Sequence, residues 1–265
     1  MHIVLATDGS ANGNAGVDLL SAAGAGRGDR VTVVVVRPSR LLLGDGLTAP
    51  PGTASDQDVA TAIADLQAAR LGDAGFGVDA LVLSGDPAAE IVRTAESLQA
   101  DLIMVGIRGH NRLQRLLIGS TSSAIARLTR LPVLLTREPV SLARTLVVCD
   151  NTASSIRTAE VASRLPAGLL REVILLHLNP EGAVGASIRS ALDNAAVELE
   201  TAGMAVDRQE EIGNEVEVAL RLVKDRAITL VVVAASEERS NGEPLLGTTA
   251  WGLVEQATAS ILIVH

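Results

Sequence analysis

Short runs of apolar residues recur along this chain, and segments with helical spacing of apolar and polar positions separate them. The run at 31–36 is apolar at almost every position, which is typical of a parallel strand covered by helices on both faces. In the first half the pattern predicts five strands: Ile3–Thr7, Val31–Val36, Val78–Leu83, Leu102–Val105 and Val133–Thr136. In the second half it predicts strands at Glu172–Leu178, Ile228–Val233 and Ile261–Val264.

The segments between the strands carry recognisable helix starts. Ser55, with Asp58 three residues later, resembles a capping box. Asp86 followed by Pro87 is typical of an N-cap with proline in the first helical position. Five strands that alternate with four helices predict a doubly wound α/β unit with a parallel sheet.

The chain also matches itself, which indicates an internal repeat. Val4–Asp8 aligns with Leu146–Asp150, and the same offset of 142 places Val31 on Val173. Further along, the offset becomes 128, and the difference falls in the Pro/Gly-rich segment Arg37–Ser55. The pairs at this second offset are Gly85 with Gly213, Gly106 with Ala234, Gly119 with Gly247 and Val133 with Ile261. The repeat predicts two homologous domains, 1–139 and 140–265.

Composition favours a folded cytoplasmic protein. Hydrophobic residues make up 48% of the chain and charged residues 20%, so a large core is expected. No apolar stretch reaches the roughly 18 residues of a membrane span, and no signal peptide is recognisable at the start. Cys149 is the one cysteine and lies in an apolar run, which favours a buried reduced thiol.

The charge distribution argues against nucleic acid and anionic membranes as partners. The net charge is −9, with −2 on residues 1–139 and −7 on residues 140–265. An anionic ligand should therefore prefer the first half.

A glycine pattern after the fourth strand is the main candidate for chemistry. Gly106, Gly109 and Gly119-Ser120 give the spacing G-x2-G-x9-G-[ST] directly behind the run Leu102–Val105. Glycine lets backbone N–H groups approach an anion without a Cβ in the way. A helix that starts after Gly119 would add unpaired N–H donors and the positive end of its dipole. The pattern predicts a phosphate site.

The residues that several other kinds of active site require are absent from the sequence. No G-x-x-x-x-G-K occurs and Lys224 is the only lysine, so a P-loop NTPase is excluded and the strand lysine of protein kinases has no candidate in the first unit. The four histidines show no metal-ligand spacing, and no G-x-S-x-G motif marks a serine hydrolase.

For each of two polar residues, Asp8 and Arg108, the sequence allows two interpretations. Asp8 follows the first strand and could accept from a ribose hydroxyl or an adenine amine, or help to hold Mg²⁺, but an N-cap or turn role fits equally. Arg108 could neutralise phosphate or be solvated. Asp8, Val36 and Gly106 each follow or end a strand, so we expect them at one crevice.

The second unit serves as an internal comparison. Ala234 replaces Gly106 and Glu237 replaces Gly109, whereas Gly247 keeps the position of Gly119. A methyl group narrows the approach to the backbone, and a carboxylate about 5 Å from phosphate costs on the order of 3 kcal/mol. We therefore predict one competent site per chain, in the first unit.

These residues resemble the universal stress protein family in a tandem two-domain form. The resemblance rests on Ala6–Ser10, on Gly85-Asp86-Pro87 and above all on the glycine motif from Gly106 to Ser120, and it covers nearly the whole chain. It implies a Rossmann-like fold of the adenine nucleotide alpha hydrolase type, with ATP, accompanied by Mg²⁺, as the ligand. It further implies that two domains pair through their last strands, here Pro132–Thr136 and Ser260–Val264, to give a pseudo-twofold monomer; the sequence leaves a homodimer open.

The resemblance also implies a set of site residues. Phosphates would be held by Gly106, Gly109, Gly119, Ser120 and Thr121, with Arg108 beside them, and the adenosine pocket would be lined by Ala6, Thr7, Asp8, Val36 and Val105. No catalytic base is identified among them.

Three functions remain open at this stage. The first is an ATP-binding stress-response protein with a regulatory role and at most slow hydrolysis, since no lysine in the first unit can stabilise a γ-phosphate. The second is a protein-interaction scaffold with vestigial nucleotide binding, suggested by the altered second unit. The third is an ATP pyrophosphatase-like enzyme, for which Asp8-Gly9-Ser10 is a poor match to the serine loop that such enzymes carry.

Overall fold

The computed structural model describes residues 1–38, 54–107, 119–137, 141–149, 154–166, 168–178, 186–235, 239–240, 243–244 and 246–265. The first unit contains β1 (His2–Ala6), α1 (Ala11–Ala23), β2 (Arg30–Pro38), α2 (Ala54–Asp73), β3 (Gly77–Gly85), α3 (Pro87–Ser97), β4 (Leu102–Gly106), α4 (Ser120–Leu128) and β5 (Val133–Thr136). The second contains β6 (Arg144–Cys149), α5 (Ser154–Ser163), β7 (Glu172–Leu178), α6 (Ala186–Thr201), β8 (Ala205–Glu211), α7 (Glu215–Asp225), β9 (Leu230–Ala234), β10 (Arg239–Ser240), β11 (Glu243–Pro244), α8 (Thr248–Gln256) and β12 (Ser260–Val264).

The two units share one ten-stranded sheet with the order β3-β2-β1-β4-β5-β12-β9-β6-β7-β8. In this sheet the paired strands within each unit are parallel, whereas β5 and β12 pair antiparallel at the centre, with Leu134 opposite Leu262. In the second unit, β10 and β11 form a separate antiparallel pair. The register repeats between the units, because Arg30 pairs with Gly77 in the first and Glu172 with Ala205 in the second. Glu172 lies 142 positions after Arg30, and Ala205 lies 128 positions after Gly77, which are the two offsets of the sequence repeat. The parallel strands and their order confirm the doubly wound α/β prediction.

Several bounds of the predicted elements are wrong. β1 ends at Ala6, β3 continues to Gly85 and β9 begins at Leu230. Helix α2 is described from Ala54, so Ser55 lies inside the helix and does not precede it as a cap. Strand β2 continues to Pro38, two residues beyond the predicted end at Val36, because its last residues still pair with β3. The N-cap at Asp86 is confirmed: its carboxylate accepts from the backbone N–H of Ala89, 2.9 Å away, and Pro87 follows it.

Each face of the sheet carries a core that runs through both units. Val4 and Ile103 on one face belong to the same buried cluster as Val231 and Ile261 of the second unit. On the other face, Leu5 and Met104 share a cluster with second-unit residues. Alternate residues of a strand point to opposite faces, so the central apolar runs supply both cores. Cys149 is buried, as predicted.

Side chains also join the two units. The guanidinium of Arg127, in α4, lies 4.4 Å from the ring centre of Trp251, in α8. Buried Arg137 donates to the carbonyl of Val254 at 2.7 Å, and its backbone N–H donates to Oγ of Ser260 at 3.0 Å. Burial lowers the pKa of the Arg137 guanidinium to about 10.

Within the described part of the chain, no helix has the length and apolar character that crossing a membrane requires.

Replacement of Asp86 by alanine should destabilise the protein by about 1 kcal/mol, because the first turn of α3 loses its side-chain acceptor. Urea unfolding followed by circular dichroism would measure the change. Glu96→Ala is the matched control, since it removes the same charge from an exposed position in the same helix. Equal effects of the two substitutions would contradict a capping role for Asp86.

Candidate functional site

The candidate site lies where the strand order of the first unit reverses. β1 is flanked by β2 on one side and by β4 on the other, so the connections after β1 and β4 lead to opposite faces of the sheet. Ala6, the last residue of β1, is paired with Val34 and with Val105. In doubly wound folds, ligands bind at the carboxyl ends of the strands beside such a switch point.

The loop after β1 is held by its own polar side chains. Buried Thr7 donates its hydroxyl to Oδ1 of Asn14 at 2.8 Å and accepts from the N–H of Gly9 at 3.1 Å. The side-chain amide of Asn14 donates in turn to the carbonyl of Gly9 at 3.1 Å. Asn14 thus ties the loop to α1 and fixes the backbone where Asp8 lies.

Asp8 is exposed at this edge, and its contacts fit the turn interpretation. Its Oδ1 accepts from the backbone N–H of Ser10 at 3.0 Å and from the Ser10 hydroxyl at 2.5 Å. Ser10, in turn, is the N-cap of α1 and accepts from the N–H of Gly13 at 3.1 Å. The carboxylate therefore organises the helix start while remaining accessible at the crevice.

Helix α1 packs against the end of β4 at very short range. A Cβ on Gly106 would lie 1.9 Å from the carbonyl oxygen of Asn12, and a Cβ on Gly16 would lie 2.7 Å from Sδ of Met104. Glycine at 106 is therefore required by the approach of α1, a packing role that the sequence pattern does not reveal.

The start of α4 closes the other side of the crevice. Gly119 is its N-cap, with φ −65° and ψ 147°, and it carries no side chain to cap the helix. The buried hydroxyl of Ser122 donates to the carbonyl of Gly106 at 2.9 Å. This hydrogen bond holds the first turn of α4, with exposed Ser120 and half-buried Thr121, against the end of β4.

The remaining predicted residues fall into two groups. Val105 is buried beside Ala6, and half-buried Val36 lies two residues beyond the level of Ala6 on β2, opposite Leu83 of β3. Arg108 and Gly109 lie outside the described residues. The described members of the predicted set thus meet along the ends of β1, β2 and β4 and at the start of α4.

The arrangement can attract an anion. Uncapped N–H groups at a helix start, together with the helix dipole, favour negative charge. α4 begins at this edge with no side-chain cap from Gly119, whereas α1 begins there with Ser10 as its cap.

A sequence model of the universal stress protein family matches residues 1–137 and, a second time, residues 142–265. The chain belongs to the universal stress protein family. The two matches give the tandem two-domain organisation that the repeat predicts.

Curated universal stress proteins match only segments of the chain. One from Synechocystis sp. is 41% identical over 75 residues, which is 28% of this chain and 26% of that protein. The stress response protein NhaX of Bacillus subtilis is 39% identical over 56 residues, which is 21% of this chain and 34% of that protein. The chain thus spans about a third or less of the length of these two relatives.

Solved universal stress proteins share the whole fold. One from Archaeoglobus fulgidus has a TM-score of 0.73 at 19% identity and covers 99% of this chain and 97% of that one. A putative universal stress protein from Pseudomonas aeruginosa has a TM-score of 0.65 at 16% identity, with coverage of 99% and 92%. At these low sequence identities, the structural similarity shows a shared fold and nothing further.

Two residues that shape the site of this universal stress protein were not among the predicted ones. Asn14 fixes the loop after β1, and Ser122 joins α4 to β4. A sequence signal existed for Asn14, a polar residue among the small residues of α1. No sequence signal distinguished Ser122, because it directly follows Ser120 and Thr121, the hydroxyl residues to which the glycine motif already assigned a role.

Proposed function

We propose that this universal stress protein binds one ATP per chain, in the unit formed by residues 1–139, and acts as a regulator with little or no ATPase activity. The observation that carries the proposal is the hydrogen bond from Ser122 to the carbonyl of Gly106. It fixes the start of α4 beside the switch point, and the N-cap Gly119 provides no side-chain acceptor for the first N–H groups of this helix. Residues 140–265 form the degenerate unit in this proposal.

The phosphates would lie at the start of α4, against the backbone of Gly119 and the hydroxyls of Ser120 and Thr121. Ser120 is exposed and Thr121 half-buried, so both hydroxyls are within reach of a ligand from solvent. Gly106, Arg108 and Gly109 would complete this end of the site. Charged acceptors form stronger hydrogen bonds with N–H and O–H donors than neutral ones do, which favours an anion here.

The nucleoside would lie over the ends of β1 and β2. Ala6 and Val105 are buried and Val36 is half-buried, so they offer an apolar floor for adenine. Asp8 and Thr7 lie at the rim of this floor, and the exposed carboxylate of Asp8 suits a ribose hydroxyl or the adenine amine.

Magnesium would enter with the nucleotide and be held mainly by its phosphates. Among the described residues, no group of three or more histidine, cysteine, aspartate or glutamate side chains could hold a metal ion. Asp8, whose Oδ1 already accepts two hydrogen bonds from Ser10, would contribute at most one ligand. Bound Mg²⁺ ordinarily keeps several waters and takes phosphate oxygens as ligands.

We expect slow or negligible hydrolysis from the residues of the proposed site. The only lysine, Lys224, lies in α7 of the second unit, so none stabilises a γ-phosphate in the first. Asp8 lies at the proposed nucleoside end and is engaged with Ser10, which makes it a poor base for water. A bound but uncleaved nucleotide is suited to regulation.

Calorimetric titration of the chain with ATP, ADP and AMP, in the presence of Mg²⁺, tests the proposal. We expect a stoichiometry near one per chain for ATP. No binding of any of the three nucleotides would favour the scaffold function instead. Rapid turnover with release of pyrophosphate would favour the enzyme. Two equal sites would contradict the single competent unit.

A further inference from the structure

The second unit carries an acidic side chain at the start of α8. Asn214 caps α7 by accepting from the N–H groups of Val216 and Glu217 at 3.0 and 3.2 Å. This cap fixes Glu215 as the first residue of α7. Oε2 of Glu215 then accepts from the hydroxyl of Thr249 at 2.5 Å. Thr249 is the second residue of α8, so the carboxylate lies at the electropositive end of that helix.

At the corresponding described position, the first unit has no carboxylate. At the offset of 128, Glu215 corresponds to Pro87 and Thr249 to Thr121. The helix starts themselves are nearly identical, since Gly247 has φ −61° and ψ 164°, close to the values at Gly119, and neither glycine offers a capping side chain. The acidic side chain that reaches α8 therefore distinguishes two otherwise similar anion positions.

The start of α8 also borders a cavity. A cavity of about 320 Å³ opens between α7 and α8, and its lining residues are Gly213, Asn214, Glu215, Val216, Thr248 and Thr249. Strand β8 adds further acidity at this edge, because Glu210 and Glu211 stand at its end where β3 has Val82 and Leu83. Glu211 is paired with Arg221 at 3.0 Å, whereas Glu215 is directed to α8.

We propose that Glu215 is an internal anion, which occupies the phosphate position of the second unit and thereby restricts nucleotide to the first. The inference rests on the proposed function of the first unit. A phosphate approaching α8 would have to displace the carboxylate from Thr249 and would be repelled by it at short range. Glu215 is thus a specificity-determining residue, in addition to the Ala234 and Glu237 substitutions.

The test measures ATP binding to the second unit in a background in which the first site is weakened. This background carries Gly119→Val, which lowers the affinity of the first site, and Glu237→Ala, which removes the other carboxylate predicted to repel phosphate. Glu215→Ala and Glu215→Gln are each added to this background and titrated with Mg-ATP by calorimetry. The matched control adds Glu217→Ala, which removes an exposed glutamate two residues along the same helix.

We expect both Glu215 variants to bind ATP at least about tenfold more tightly than the Glu217 control, because only they remove the repulsion at α8. The glutamine variant keeps an acceptor for Thr249, so a gain there cannot come from a disrupted helix start. Affinities no higher than the control in both variants would overturn the inference while leaving the first site intact. If the unaltered chain binds no ATP, the proposed function fails, and the inference fails with it.

Discussion

A Gly119→Val variant is expected to lose ATP affinity by about tenfold to a hundredfold, whereas Gly247→Val should leave it unchanged. The φ of −65° at Gly119 is open to any residue, so valine should not strain the backbone. Its isopropyl group would instead crowd the approach of phosphate to the first turn of α4. The loss of one or two hydrogen bonds to a charged phosphate accounts for an effect of this size.

Gly247→Val is a close control for this experiment. Gly247 has φ −61° and ψ 164° and begins α8 as Gly119 begins α4. Any general cost of valine at a helix start should therefore appear in both variants. The two chains would be compared by titration with Mg-ATP and by thermal unfolding. A loss of affinity that is equal in both, or confined to Gly247→Val, would contradict a single site in the first unit.

Gly106→Ala should destabilise the protein by roughly 3 kcal/mol, toward the upper end of the cost of overpacking. The added Cβ would lie 1.9 Å from the carbonyl oxygen of Asn12, so the backbone of α1 or β4 must move. The movement would also disturb the loop that Asn14 holds after β1. We therefore expect weaker ATP binding together with lower stability.

Urea unfolding, with Ala234→Gly as its counterpart, would measure the Gly106 effect. Ala234 occupies the equivalent position in the second unit and already carries the methyl group. Its removal should cost only about 0.5–1 kcal/mol, the usual cost of glycine in a strand. A Gly106→Ala change within about 0.5 kcal/mol of the unaltered chain would show that α1 adjusts freely, contrary to the packing seen here.

Most strands and the doubly wound class could be predicted, because a local apolar pattern marks each strand and the internal repeat marks the two units. Apolar runs such as 31–36 mark buried strands. The strand pair Arg30 with Gly77 in the first unit has its counterpart, Glu172 with Ala205, at the offsets of 142 and 128 in the second unit. Strand β8 was not named in advance, since its sequence is largely polar and it lies at the edge of the sheet.

The site could be predicted only in part, because several of its contacts join distant segments. The glycine motif identified the start of α4, but nothing local indicates that Gly106 contacts Asn12, which is 94 positions earlier. The contact of Glu215 with Thr249 joins two helices in the same way. The helix start expected at Ser55 was wrong because a favourable capping pattern can also occur inside a helix.

A crystal structure of the chain with bound Mg-ATP tests the central claim most directly. The account predicts one nucleotide, with its phosphates at Gly119, Ser120 and Thr121 and its adenine over Ala6 and Val105. A nucleotide at the start of α8, or a first-unit crevice that side chains fill in the presence of saturating ATP, would contradict it.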